Sequence, residues 1–195
     1  MWVKSEYAGE LAVVSAWLAV LIPWNVHHST FGSLGSTLFV RFPFLQIQYS
    51  WLFVEDAPGF SQTGVELFGT GIWVADPVTT LLSPGGVSRN IPQANVLWLV
   101  GAAILAAAFA LSLALYSGEQ RVESLFPVDP VRLMGGLLGA GALAFAAATW
   151  RLWSSLPGLP LPIGVAVVVL LAITLLTVDR TDTPETVRSD DVGHK

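Results

Sequence analysis

The chain has 195 residues and a formal net charge of −5, with 53% hydrophobic and only 12% charged residues, whereas about a quarter of the residues of a soluble domain are charged. Its mean hydropathy of +0.65 points to a membrane protein. The acidic balance excludes nucleic acid as a partner, since no basic stripe is available to neutralise phosphates, and the lack of cysteine excludes disulfides, thiolate metal sites and cysteine catalysis.

A helix needs about 20 apolar residues to cross roughly 30 Å of hydrocarbon. In chain order the first segment that meets this is Ala8 to Val26. A secretory signal is basic at its start and closes on small residues, whereas this stretch carries Glu6 and Glu10 and runs into Pro23, Trp24 and two histidines. It is therefore expected to stay as a first span. Both carboxylates fall in the first helical turns, where they offset the positive end of the helix dipole.

The segment from His27 to Gln93 follows, and its patterning is that of a sheet. TLFVRF is rich in β-branched and aromatic residues. QIQYSWLF alternates, with Ile47, Tyr49, Trp51 and Phe53 on one face and Gln46, Gln48 and Ser50 on the other. Both read as strands, and the aromatic face of the second is expected to be the buried one. Pro43 is expected to place its strand at a sheet edge. TGVELF and GTGIWVA continue the strand pattern, with DAPGF as a connection between strands. ADPVTTLLSPGG reads as a short helix capped by Asp76, opened by Pro77 and ended by Pro84 and Gly85. It lies along the membrane surface in this reading, with a re-entrant segment as the alternative.

Three further spans are expected over Ala94 to Tyr116, Leu133 to Trp150 and Leu159 to Val178. Tyr7, Trp24, Trp98, Tyr116, Trp150 and Trp153 fall near segment ends, as an interfacial aromatic belt would have them. The second span repeats Ala102, Ala106, Ala110 and Ala114. The third repeats Gly136, Ala140, Ala144 and Ala148 beside Gly135-x-x-x-Gly139. Such ladders of small residues let helix backbones approach, within one chain or in an oligomer. The last seventeen residues hold five acids and three bases and are expected to be a disordered cytoplasmic tail. In a four-span arrangement six basic residues fall on one side and three on the other, which puts both termini in the cytoplasm.

The fold expected from this pass is an all-α membrane protein, a four-transmembrane-helix bundle with a small extracellular antiparallel β-sheet between the first two spans. Its parts are residues 1–26, a cytoplasmic start and first helix; 27–93, the strand-rich segment; 94–178, three helices; and 179–195, the tail.

Chemistry-bearing residues are few. Glu10 is the one carboxylate near membrane depth, read either as a proton or cation ligand or as an interfacial group beside Lys4. Adjacent His27 and His28 point apart in an extended chain and lack a third ligand nearby. Glu55 and Asp56 read as a solvated turn, and no hydrolase, metalloprotease or phosphate-loop motif occurs. No catalytic residue, metal or cofactor is expected.

The blocks WVKSEYAGELAVVSAWLAVLIPWNV, FVRFPFLQIQYSW and GTGIWVADPVTTLL resemble a family of uncharacterised small multi-span membrane proteins of halophilic archaea. A second resemblance is architectural. Trp51, followed after some twenty residues by Gly71-Ile72-Trp73, is similar to the Trp and Gly-Leu-Trp of claudin-like tetraspan proteins, although the cysteine pair of that family is absent. It implies that Trp51, Gly71 and Trp73 seat the sheet on the membrane end of the helices. Three function classes compete: a non-enzymatic structural, accessory or cell-surface interaction component; a subunit of a transporter or channel; and a membrane-embedded enzyme. The partners expected are the lipid bilayer and either another membrane protein or a further copy of the chain.

Overall fold

A computed structural model describes residues 7–30, 35–52, 65–67, 71–82, 90–125 and 129–178. In chain order the elements are α1 (Ala8–Leu21), β1 (Asn25–Thr30), β2 (Gly35–Arg41), β3 (Gln46–Leu52), β4 (Val65–Leu67), β5 (Ile72–Ala75), α2 (Pro77–Leu82), α3 (Asn90–Leu125), α4 (Pro130–Trp153), β6 (Pro160–Leu161) and α5 (Ile163–Thr177). The fold is thus α+β, and the expected all-α four-span bundle is corrected. Among the described residues two helical stretches are long and apolar enough to cross a membrane, Ile91–Ser117 and Pro130–Trp153.

The physical reason lies at the ends of the first and last apolar runs. The run from Ala8 to Val26 leaves the helix at Leu21, because Pro23 interrupts it, and its last two residues open β1. The run from Leu159 to Val178 gives its start to β6, and Pro160 and Pro162 hold the helix off until Ile163. What remains are helices of 14 and 15 residues. At 1.5 Å per residue these extend roughly 21 and 23 Å, short of the roughly 30 Å hydrocarbon layer.

The two long helices pair antiparallel, and their buried positions explain why. On α3 the buried residues include Ala94, Trp98, Gly101, Leu105, Ala108, Ser112 and Leu115. On α4 they include Val131, Met134, Leu138, Gly141, Phe145, Ala148 and Leu152. Both series step by alternating threes and fours, the 3.5-residue repeat of a left-handed helix pair. The seam is tight: a Cβ on Gly101 would lie 2.7 Å from the Phe145 ring, and one on Gly141 would lie 3.0 Å from Leu105. α1 packs antiparallel to α3, with Trp17 against Phe109 and Trp24 against Trp98. α5 returns along α4, bringing Ala172, Leu175 and Leu176 to Gly135.

The sheet has the order β4-β5-β3-β2-β1-β6, with every described pairing antiparallel. β2 is an interior strand, so the edge placement expected from Pro43 is corrected. Pro43 sits in the turn between β2 and β3, where its missing N–H costs no ladder bond. That turn fastens the sheet to the helices. The Trp24 indole donates to the Phe42 carbonyl at 3.2 Å, and the Trp98 indole donates to the carbonyls of Phe42 at 3.1 Å and Pro43 at 2.9 Å. Trp24 also stacks on Phe145, with ring centroids 5.1 Å apart. Both indoles are therefore core residues rather than members of an interfacial belt, with Trp24 only 2% exposed. Tyr7, Tyr116, Trp150 and Trp153 remain exposed.

α2 forms as its sequence implies. Asp76 accepts from the backbone N–H groups of Val78 and Thr79 at 2.8 and 2.9 Å and from the Thr79 hydroxyl. The Thr79 bonds hold its carboxyl below the ordinary aspartate value. Asn95 of α3 donates to the Thr80 carbonyl at 3.0 Å and ties this helix to the start of α3.

Candidate functional site

The pairing register places three cross-strand rows on one face of the sheet. Asn25, Arg41, Gln46 and Ala75 form the row nearest the β2–β3 turn; His27, Phe39, Gln48 and Trp73 the next; Ser29, Thr37 and Ser50 the third. This is the buried face. Asn25, His27, Ser29 and Thr37 are fully covered, and Arg41, Gln46 and Gln48 nearly so. The opposite face carries Val40, Ile47, Tyr49, Trp51 and Val74, and there Ile47 is 36% and Trp51 43% exposed. The alternation expected in QIQYSWLF is present, but the burial of its two faces is the reverse of the expectation.

A polar inner face is tolerable only where its groups find partners. Arg41 Nε donates to Gln46 Oε1 at 2.8 Å, and an Arg41 terminal nitrogen donates to Asn25 Oδ1 at 3.1 Å. The guanidinium carbon stands 4.7 Å from the centre of the Phe39 ring, a cation–π arrangement. No carboxylate among the described residues pairs with this charge. Burial alone brings Arg41 down to about 9, still protonated at neutral pH.

The second row is closed by the chain after α4. His27 Nε2 lies 2.9 Å from the Pro157 carbonyl, to which the Ser29 hydroxyl also donates at 2.8 Å. A carbonyl only accepts, so Nε2 carries the proton and Nδ1 is left bare; Nδ1 is buried without a partner. Desolvation lowers the His27 pKa, partly countered by the Pro157 bond, with smaller lowering from the charge of Arg41. Gly158 allows the close approach: its φ is +102°, and a Cβ there would run into the His28 carbonyl oxygen. Two other buried groups on this face lack partners, the Asn25 amide nitrogen and the Trp73 indole nitrogen.

The residues singled out in the sequence fall as follows. Trp51 and Gly71 lie at the strand ends away from the β2–β3 turn, where the Ser50 N–H donates to the Gly71 carbonyl at 3.0 Å and Gly71 has φ +72°. Trp73 is on the inner face. The hydrogen bonds described between the helices and the sheet's β2–β3 turn are made by Trp24 and Trp98. His27 points inward and His28 outward. Glu10 is exposed in the first turn of α1. Glu55 and Asp56, DAPGF, Pro84 and Gly85, and the tail lie outside the described residues. On α4, Gly135 meets α5 tightly, a Cβ there lying 3.0 Å from Leu176, whereas one at Gly139 would find only the Ala172 Cβ at 3.8 Å and one at Gly136 nothing. Ala102 is buried and Ala106 exposed. Positions four apart advance 40° beyond a full turn at each step, so a ladder of fours walks off the contact face.

Sequence reasoning missed Arg41 and Asn25. The signal was there in the polar spacing Asn25, His27, Ser29 and Gln46, Gln48, Ser50. Reading it required knowing that FPFL is a hairpin turn, which puts Arg41 between Asn25 and Gln46.

The model of a family of unknown function, DUF7549, matches residues 1–180, and the chain belongs to that family. No curated protein matches it.

Proposed function

We propose that this DUF7549 member is a non-enzymatic structural component of the cell membrane that assembles with a second copy of itself through the outward face of its sheet. The supporting observation is the outward side of β3: Ile47 flanked by Val40 and Val74 in register, beside an edge-to-face Tyr49–Trp51 pair with centroids 4.2 Å apart. An apolar patch built on aromatic anchors is what marks an interface rather than ordinary surface. Its middle carries no charge that would select an oppositely charged partner, and self-pairing of two such faces gives the layered packing of a β-sandwich. In the placement that goes with this reading the α3–α4 hairpin crosses the bilayer. Arg121 and Arg132 flank its connection on the cytoplasmic side, both chain ends lie on that side, and the sheet stands outside.

The test is the mass of the full-length protein in detergent and in lipid nanodiscs, by light scattering and by native mass spectrometry. The expected result is a dimer that Ile47→Glu converts to a monomer with an unchanged circular dichroism spectrum. A wild-type monomer at all concentrations, or a dimer that survives Ile47→Glu, overturns the assignment. Recovery of a different stoichiometric protein on the same face replaces self-pairing by accessory docking.

A further inference from the structure

From the inner face of the sheet we infer that Arg41 and Asn25 form the core of a binding site for an oxyanion, the carboxylate or phosphate group of a small solute or of a lipid headgroup. Three observations carry it. First, Arg41 is buried with no carboxylate among the described residues to pair with, and a buried charge without a counter-ion is costly. Second, only two of the five guanidinium N–H donors have acceptors among the described residues, the Gln46 and Asn25 side-chain oxygens. Third, Asn25 is fully buried, and its amide nitrogen has no partner although the oxygen of the same carboxamide holds Arg41. That nitrogen thus belongs to a carboxamide that the guanidinium holds in place.

Beside Arg41 the surplus is of donors, and the next row leaves one bare acceptor, His27 Nδ1. Arg41 and Asn25 offer unused donors from paired positions on adjacent strands. A neutral cavity ligand would leave the charge uncompensated, and a cation would be repelled. A carboxylate or phosphate oxygen accepts the guanidinium N–H groups that Gln46 and Asn25 leave free, and supplies the missing negative charge. Burial beside the Phe39 ring strengthens that attraction, because little water competes for the same donors. The row lies beside the turn held by Trp24 and Trp98, at the level where α1 ends and α3 begins. A lipid headgroup and a dissolved anion present the same oxyanion, and that shared chemistry defines the site.

Asn25→Asp provides the sharpest test, because it places a carboxylate of the same shape against Arg41 and supplies the counter-ion from within. The full-length protein in neutral-detergent micelles is titrated with inorganic phosphate and with acetate against chloride at constant ionic strength, following tryptophan fluorescence and melting temperature. In a second arm it is reconstituted in phosphatidylcholine nanodiscs with and without phosphatidylglycerol, and the lipid retained on release is identified by mass spectrometry. A saturable response to phosphate or acetate identifies a solute site. Retention of phosphatidylglycerol without a solute response identifies a headgroup site. In either case Asn25→Asp raises the melting temperature without ligand and weakens binding at least about tenfold, which is a loss of about 1.4 kcal/mol. Arg41→Gln abolishes binding where it folds. The inference is overturned if the wild-type protein responds in neither arm, or if Asn25→Asp binds as the wild type does.

Discussion

The helices and the sheet of this protein sort their side chains by different rules. Along α4 the buried Met134, Leu138, Phe145 and Leu152 are apolar, and so are exposed residues such as Leu143 and Trp150. Across β3 the glutamines turn inward, while Ile47 and Trp51 face out. A periodicity therefore shows that an element has two faces but not which one the molecule buries. The choice falls to what the neighbouring elements offer. The helix pair offers an apolar seam, whereas β1 and β2 offer Asn25 and Arg41, and Arg41 takes Gln46 of β3 as a partner.

The hardest test of that contrast is at the junction. Trp98→Ala removes a buried ring of the core together with the indole that holds two carbonyls of the β2–β3 turn. The expected loss is about 3–5 kcal/mol, the range for large-to-small substitution of a buried aromatic. Thermal melting in detergent measures it, and a loss below about 1 kcal/mol would mean that the sheet is seated by something else.

Within the helices the contrast is between two neighbouring glycines. Gly135→Leu drives a side chain into Leu175, Leu176 and the Ala172 carbonyl, all 3.0–3.2 Å from the position of its Cβ. Overpacking of this kind costs about 1–3 kcal/mol. Gly139→Leu, with its nearest neighbour at 3.8 Å, should cost less in the same assay. Equal losses would show that α4 and α5 adjust as freely at one position as at the other.

How much of this was legible follows from the physics of each element. The two long helices were readable because long apolar runs without charge have few alternatives, and both expected spans, Ala94 to Tyr116 and Leu133 to Trp150, lie inside the observed α3 and α4. β2, β3, β4, β5 and α2 were readable from alternation, glycines and the Asp-Pro start. β1 and β6 were not, because each is joined to an apolar helix without a polar break, and a hydropathy window runs the two together. The inner site was hidden for a different reason. Arg41 is separated in sequence from Asn25 and becomes its neighbour only through the register of β1 on β2.

The inner face should also respond to acid. His27 has its pKa lowered from 6.5, chiefly by burial, so the unfolded chain takes up a proton before the folded one does. Stability is complete above pH 6.5 and is lost as the pH falls from there towards the folded value. His27→Gln, which cannot be protonated, should flatten the melting temperature between pH 7 and pH 5 relative to wild type. An unchanged slope would assign the acid sensitivity to another group.

The smallest effect is expected where the sequence pattern suggested one of the largest. Had the aromatic side of β3 been the buried one, Trp51→Ala would empty a core and cost several kcal/mol. Trp51 is instead 43% exposed, on the strand end far from the helices, with Tyr49 as its aromatic contact. In monomeric protein, obtained by working in the Ile47→Glu background, Trp51→Ala should therefore shift stability by about 0.5–1 kcal/mol, the worth of one aromatic pair. Gln48→Ala, inward and bonded to Ser50 at 3.1 Å, should cost about as much or more, since it removes the shorter of the two bonds to the Ser50 hydroxyl, Thr37 supplying the other at 3.4 Å. The order of these two losses separates the two readings of the strand. Gln48→Ala at or above Trp51→Ala agrees with a polar face turned inward, and a Trp51→Ala loss of 3 kcal/mol or more would mean that the sheet buries its aromatic side after all.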